Sequence, residues 1–155
     1  MTQPLTETKL NMIEELGVLY EQSGLSPACA RILALLLVSD TTELTFEEIY
    51  ETLQMSKSAV SNALNYLLST DRIEYLTRPG ERKRYFRCKI QGLQSAVEKH
   101  LSGMDTFNSL LKKVVEQRPA ETVEFNKSLL EVIDLLDFMK QELPLLFEKW
   151  KARKN

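Results

Sequence analysis

The apolar period of this chain switches from the helical value to the strand value and back, and that double switch limits the folds open to it. Thr45-Phe46-Glu47-Glu48 has the form of a capping box and opens a short helix whose Phe46, Ile49 and Leu53 share a face. Gln54, Met55 and Ser56 form a tight break. Ser56 then caps a second helix, Lys57 to Ser69, with Val60, Ala63, Leu64 and Leu67 on one side. Two short helices joined by so brief a break are the helix-turn-helix pattern. Immediately afterwards the period becomes two: residues 73–77 and 84–88 are β-prone runs separated by a stretch in which Pro79-Gly80 suits the centre of a type II turn. The spacing predicts a hairpin directly behind the second helix, a wing with a cationic tip.

Helical periodicity governs the flanks. Leu10, Ile13, Leu16 and Tyr20 form one stripe over residues 6–23, and Ser26-Pro27 starts a helix, Ala28 to Ser39, that is apolar nearly all round and therefore central. From Gln91 on, Leu93, Val97, His100, Met104, Phe107, Leu111 and Val114 step in alternating fours and threes, a heptad-like seam. A last helix runs from Thr122 to Trp150, with Leu129, Val132, Ile133, Leu135, Leu136, Met139 and Leu143 spread over more than one face; Pro144 is expected to kink or end it. That apolar arc exceeds what a small winged domain covers, which predicts a second subunit. Leu10, Ile13, Met104, Phe107, Leu111, Leu129, Ile133, Leu136, Leu146 and Trp150 are the candidate interface residues. The expected architecture is mainly α with a small β-hairpin wing: one domain over residues 1–155, with a winged helix-turn-helix core at 25–90 and helical dimerisation segments at 1–24 and 91–155.

Other classes fit poorly. At 155 residues, 43% hydrophobic and 27% charged, the chain suits one ordinary globular domain. Its longest apolar run, Ile32 to Val38, is too short to span a bilayer, and the start MTQPLTETK lacks a signal pattern, so a cytoplasmic protein with no membrane partner is expected. Cys29, Cys88 and a single His100 make no spaced metal set, and neither a phosphate loop nor a nucleophile elbow occurs. A binding protein without cofactor or metal is predicted, rather than an enzyme. Glu43, Glu47, Glu48 and Glu51 read as a solvated helix surface.

Charge is segregated. Residues 1–56 hold two bases against nine acids, residues 57–89 hold eight bases against three acids, and the remainder balances at ten of each. Such a chain concentrates its positive field where an anion binds. Within that stretch, Ser58, Ser61, Asn62, Asn65 and Ser69 fall in an arc of about 100° opposite the apolar residues of their helix. No acid lies in the arc, and Ser and Asn are mediocre helix formers, a poor choice for a merely solvated face. They suit a helix laid in a major groove, where Asn can pair with adenine. Ser56 and Lys57 at the amino end can meet phosphates. Arg78, Arg82 and Lys83 on the wing reach adjacent backbone or minor groove; Arg84 joins the candidates, while Arg84 or Arg87 could instead partner Glu74 across the strands.

SKSAVSNALNYLL followed by RIEYLTRPGERKRYFR resembles the winged-helix core of GbsR-type regulators, a branch of the MarR superfamily. ARILALLLV is similar to the family's Gly-Arg-Ile run, with Ala30 where Gly is common. The resemblance implies a homodimeric, mostly helical regulator that binds double-stranded DNA; two-fold symmetry predicts an inverted-repeat operator, and a small-molecule effector, which the sequence does not name, is a candidate further partner. Some relatives respond to choline through aromatic pockets. Here Tyr20, Phe107, Phe125, Phe138, Phe147 and Trp150 stand at helical spacings more often used for cores. His100 on the seam could tune a dimer contact, although a structural role is the commoner use. Cys29 reads as an inert core thiol, and Cys88 as the more exposed one. The alternative is a winged helix used as a protein-interaction module without specific DNA binding.

Overall fold

The structure, a computed structural model, describes residues 5–153, and the side chains at 94–96, His100 and Ser102 lie outside the description. His100, expected on the seam, is therefore among the positions not described. The elements are α1 (Glu7–Gln22), α2 (Pro27–Val38), β1 (Leu44–Thr45), α3 (Phe46–Leu53), α4 (Lys57–Ser69), β2 (Ile73–Thr77), β3 (Arg84–Cys88), α5 (Ile90–Gln117) and α6 (Val123–Ala152). This is a winged helix-turn-helix with flanking helices, as expected. No helix among the described residues is long and apolar enough to cross a membrane. The chain forms two compact units, one reaching to Gln94 and the other beginning at Ser95. The first unit holds α1 together with the winged helix.

In the first unit, α2 is the hub. Ser26 caps it by accepting from the Cys29 N–H at 3.3 Å, Pro27 fills its first turn, and Ala30, Ile32, Leu33, Ala34 and Leu35 are sealed from solvent. Ile13, Ile49, Val60, Leu64, Leu67, Ile73 and Phe86 close around it. α1 carries Gly17 where the Arg31 side chain lies flat, and Arg31 is bound there by Glu21 and, at 3.0 Å, by Glu14. The sheet is three-stranded and antiparallel in the order β1-β3-β2, with Leu44 and Tyr75 both opposite Phe86. The sequence reading foresaw the hairpin but not β1, whose two residues are too few to leave an alternation. The turn follows the Pro-Gly expectation: Gly80 has φ 81° and the Glu81 N–H donates to the Arg78 carbonyl at 3.1 Å.

Behind the sheet, the first turn of α5 passes so near the β2 entry that a Cβ on Gly92 would sit 2.7 Å from the Asp71 carbonyl oxygen. Gly92→Ala is expected to destabilise the protein by about 1–3 kcal/mol, as overpacking against backbone does. Gly103, with nothing within 4 Å of its Cβ position among the described residues, is the control. Gly103→Ala is expected to stabilise by up to about 1 kcal/mol through helix propensity. Urea denaturation of the two variants checks the opposite signs.

In the second unit, α5 and α6 form an antiparallel pair, bound by Lys140 to Asp105 at 2.6 Å, Asn108 to Asp137 at 2.7 Å and Arg118 to Asn126 at 2.8 Å. The packed, less exposed face of α5 holds Leu101, Met104, Asn108, Leu111 and Val115 and that of α6 holds Leu129, Ile133, Leu136, Leu143 and Phe147, with Leu101, Met104, Leu136, Leu143 and Phe147 lining a cavity of about 510 Å³. The heptad reading therefore merged two faces. Met104 and Leu111 belong to the packed one, but Phe107 and Val114 lie exposed on another together with Leu110. A step of four and three cannot separate two adjoining stripes when both are apolar. Asn108, buried in the seam, was absent from the reading because it is polar. Its amide and the Lys112 ammonium both bind Asp137, and the Lys112 bond holds that carboxyl below its usual range. α6 runs on through Pro144 rather than ending there. Proline costs the bond to the carbonyl four residues back, and Leu143 and Phe147 on either side of it stay partly buried.

Ile13 is only 2% exposed within the first unit and Ile133 only 6% within the second, so each is already buried inside one chain. The most exposed apolar side chains on α6 include a separate stripe, Val132, Leu135 and Leu146, a quarter-turn or more around from Ile133. Leu10 on α1 is likewise exposed.

Candidate nucleic-acid interface

The presentation of α4 follows from its caps and its apolar side. Ser56 accepts from the Ala59 N–H at 3.2 Å, which starts the helix, and Val60, Ala63, Leu64 and Leu67 pin it to the core. Gln54, in the left-handed region at φ 51°, makes the bend from α3, while Thr45 and Glu48 bind each other's backbone to start α3. What remains exposed on α4 is Lys57, Ser58, Ser61, Asn62, Asn65, Tyr66 and Ser69. All five predicted arc residues are thus on the open face. Ser69 turns back to its own helix, donating to the Tyr66 carbonyl at 2.8 Å. Tyr66 was missed by the sequence reading. Its place one helical turn after Asn62 was the available signal.

Two crevices flank this face. One, of about 480 Å³, gathers Ser61 and Asn65 of α4 with Arg82, Lys83 and Arg84 of the wing, and with Glu47 of α3. The other, of about 470 Å³, gathers Asn62 and Tyr66 with Ser26 and Ala28 at the start of α2. The two asparagines therefore serve opposite flanks of one helix. Lys57 lies over the Tyr50 ring at 5.2 Å, which keeps its ammonium at the amino end of α4.

The wing cations divide by what they touch. Arg82 and Lys83 are exposed, with no acidic partner among the described residues. Arg84 lies 5.8 Å from the Tyr75 ring centre, across the strands. Arg87, in register with Glu74, binds it at 2.6 Å, so the cross-strand partner is Arg87 and not Arg84. Lys89 is taken by Asp71 at 2.5 Å. Arg78, predicted to face nucleic acid, is bound to Glu43 and stacked 4.0 Å from the Tyr85 ring centre. Tyr85 donates to Glu81 at 2.5 Å, and that bond pushes its phenol above the usual range, so it stays a neutral donor. Glu43 and Tyr85 were not anticipated, since an ion pair between segments 35 residues apart leaves no periodic trace.

Neither cysteine has the surroundings of a reactive thiolate. Cys29 is buried with its thiol 3.8 Å from the Ala63 carbonyl, and burial pushes the Cys88 thiol up, away from the ionised form. The acids of the α3 region are in use: Glu48 caps, Glu43 pairs with Arg78, and Glu51 accepts from the Tyr50 hydroxyl at 3.3 Å. The flanking aromatics are dispersed. Phe107, Phe125 and Phe138 are exposed, and the Arg118 guanidinium covers Phe125 at 4.0 Å.

Residues 23–84 match the model of the MarR family, a segment that holds α2, the helix-turn-helix and the start of the wing's return strand. The chain is 24% identical over 131 residues to the HTH-type transcriptional regulator MmpR5 of Mycobacterium tuberculosis, covering 84% of this chain and 79% of that protein. Its fold is similar to a crystal structure described as a transcriptional regulator, with a TM-score of 0.63 and 22% identity over 94% of this chain and 99% of the other.

Proposed function

We propose that this chain, whose winged helix matches the MarR family over residues 23–84, is a transcriptional regulator that binds operator DNA as a homodimer. The observation that carries the reading is the shared crevice: the small hydrogen-bonding residues of α4 and the unpaired cations of the wing open onto the same space. A helix bearing Ser61 and Asn65 reads base edges in a major groove, while Arg82 and Lys83 hold the adjacent backbone. Ser56, Lys57, Ser58, Asn62 and Arg84 complete the contact set. MmpR5, named as a transcriptional regulator, lends support.

Two subunits follow from the open α6 stripe, whose exposed large side chains are poorly suited to water, and a two-fold pair of α4 helices calls for an inverted repeat. The further identification with the GbsR-type branch rests on the run from Ser56 to Arg87, and a cytoplasmic location follows from acting on DNA. An effector of unassigned chemistry would act by changing the spacing of the two reading helices.

Arg82→Gln tests the charge role of the wing. Lys57, Arg82, Lys83 and Arg84 on each of two subunits give a slope of log affinity against log salt of about −7. Removing Arg82 is expected to flatten that slope by about 0.9 per wing, with little change in the ranking of DNA sequences. A protein-interaction module would instead show no salt-dependent DNA binding by fluorescence anisotropy.

A further inference from the structure

We propose that Arg78 is a positioning residue of the wing rather than a DNA contact: Glu43, Arg78, Tyr85 and Glu81 form a latch that fixes the turn carrying Arg82 and Lys83. The inference rests on the DNA-binding reading above and revises the assignment of one of its cations.

Four observations place the latch. Glu43 immediately precedes β1, whose Leu44 is buried in the core and paired with Phe86, so this carboxylate stands beside a residue anchored in the core. Its side chain is only 19% exposed and it binds Arg78, the first residue of the turn. The same guanidinium lies on the Tyr85 ring at 4.0 Å, and the Tyr85 hydroxyl donates to Glu81 at 2.5 Å, on the far side of the turn. The backbone bond from the Glu81 N–H to the Arg78 carbonyl closes the loop. Both ends of the turn are thus tied, through side chains, to a strand held by the core.

Electrostatics keep Arg78 where it is when DNA approaches. If Arg78 moved to a phosphate, it would leave its face on Tyr85 and strand Glu43, a largely covered carboxylate, beside a polyanion. Arg82 and Lys83 surrender no acidic partner when they meet a phosphate. Neutralising Glu43 therefore matters most in the bound state, and the cost of breaking the pair rises as the phosphates come near. Each contact is modest by itself, as exposed ion pairs and cation-π contacts are. Their joint effect is orientation: an arginine two residues from a glycine at φ 81° sets the direction of a turn that would otherwise swing.

The test combines salt titrations of DNA binding by anisotropy with hydrogen exchange of the free protein, on wild type, Arg78→Gln, Glu43→Gln, the double variant and Arg82→Gln. Arg78→Gln is expected to weaken binding about three- to ten-fold with an unchanged salt slope. Glu43→Gln is expected to weaken binding similarly, although it removes a negative charge, and the double variant should cost no more than either single one. The Glu81 amide should exchange faster in both single variants and not in Arg82→Gln. An Arg78→Gln slope flattened as much as that of Arg82→Gln, or tighter binding by Glu43→Gln, would overturn the proposal and make Arg78 a phosphate ligand restrained by Glu43. Should wild type bind no DNA, the functional reading fails, and exchange at Glu81 alone decides the latch: faster exchange in Glu43→Gln upholds it, unchanged exchange refutes it.

Discussion

Leu146→Glu is expected to turn a dimer into a monomer at micromolar concentration and to lower operator affinity by at least about a hundred-fold. Leu146 is 61% exposed on α6, in the stripe with Val132 and Leu135. A two-fold interface places the substitution twice, and an unpaired carboxylate in an apolar contact costs roughly 3–5 kcal/mol. Fold should survive, because Leu146 is not on the seam with α5: far-UV circular dichroism is expected to match wild type while light scattering reports half the mass. DNA affinity falls for a separate reason. Two half-sites bound by linked subunits gain an effective concentration that two free monomers lose. A Leu146→Glu protein that remains dimeric would place the subunit contact elsewhere.

The second large effect is on sequence discrimination. Asn62→Ala and Asn65→Ala are each expected to cost about 1–3 kcal/mol of preference for the operator over unrelated DNA, roughly five- to 150-fold, while leaving non-specific affinity and the salt slope intact. Both side chains are exposed on a helix fixed by four buried residues, so truncation removes hydrogen-bonding groups without opening the core. The two should differ in which base pairs they relax. Asn65 opens toward the wing and Asn62 toward the start of α2, so they read different positions of the half-site. Binding-site selection with each variant checks this. Loss of affinity for every sequence alike would assign the asparagines to backbone contact.

The parts of the molecule legible in the sequence are those governed by local rules. Ser26, Thr45 and Ser56 each accept from a backbone N–H at the helix start they were read to cap, and the Pro-Gly turn has the positive φ it requires. The open face of α4 was legible because period alone assigns sides to a helix with one buried stripe. Where a helix carries two apolar stripes, as α5 and α6 do, period no longer says which one faces its neighbour, and Phe107 and Leu111 were merged into one seam. Nor does period say whether an apolar stripe such as that of Ile13 is spent inside a subunit or between subunits. The side-chain pairs of the site were beyond reach, since Arg78 and Glu43, or Asn108 and Asp137, meet only after the fold brings distant segments together. Charge segregation located the binding stretch, but not which of its cations are already occupied.

The central claim is tested most directly by incubating the purified protein with fragmented DNA from its source genome at near-physiological salt, recovering what is retained, and sequencing it. The account predicts enrichment of a small number of fragments that share an inverted repeat, with half-sites about one helical turn apart. Retained fragments with no shared sequence, or none retained at all, would contradict it.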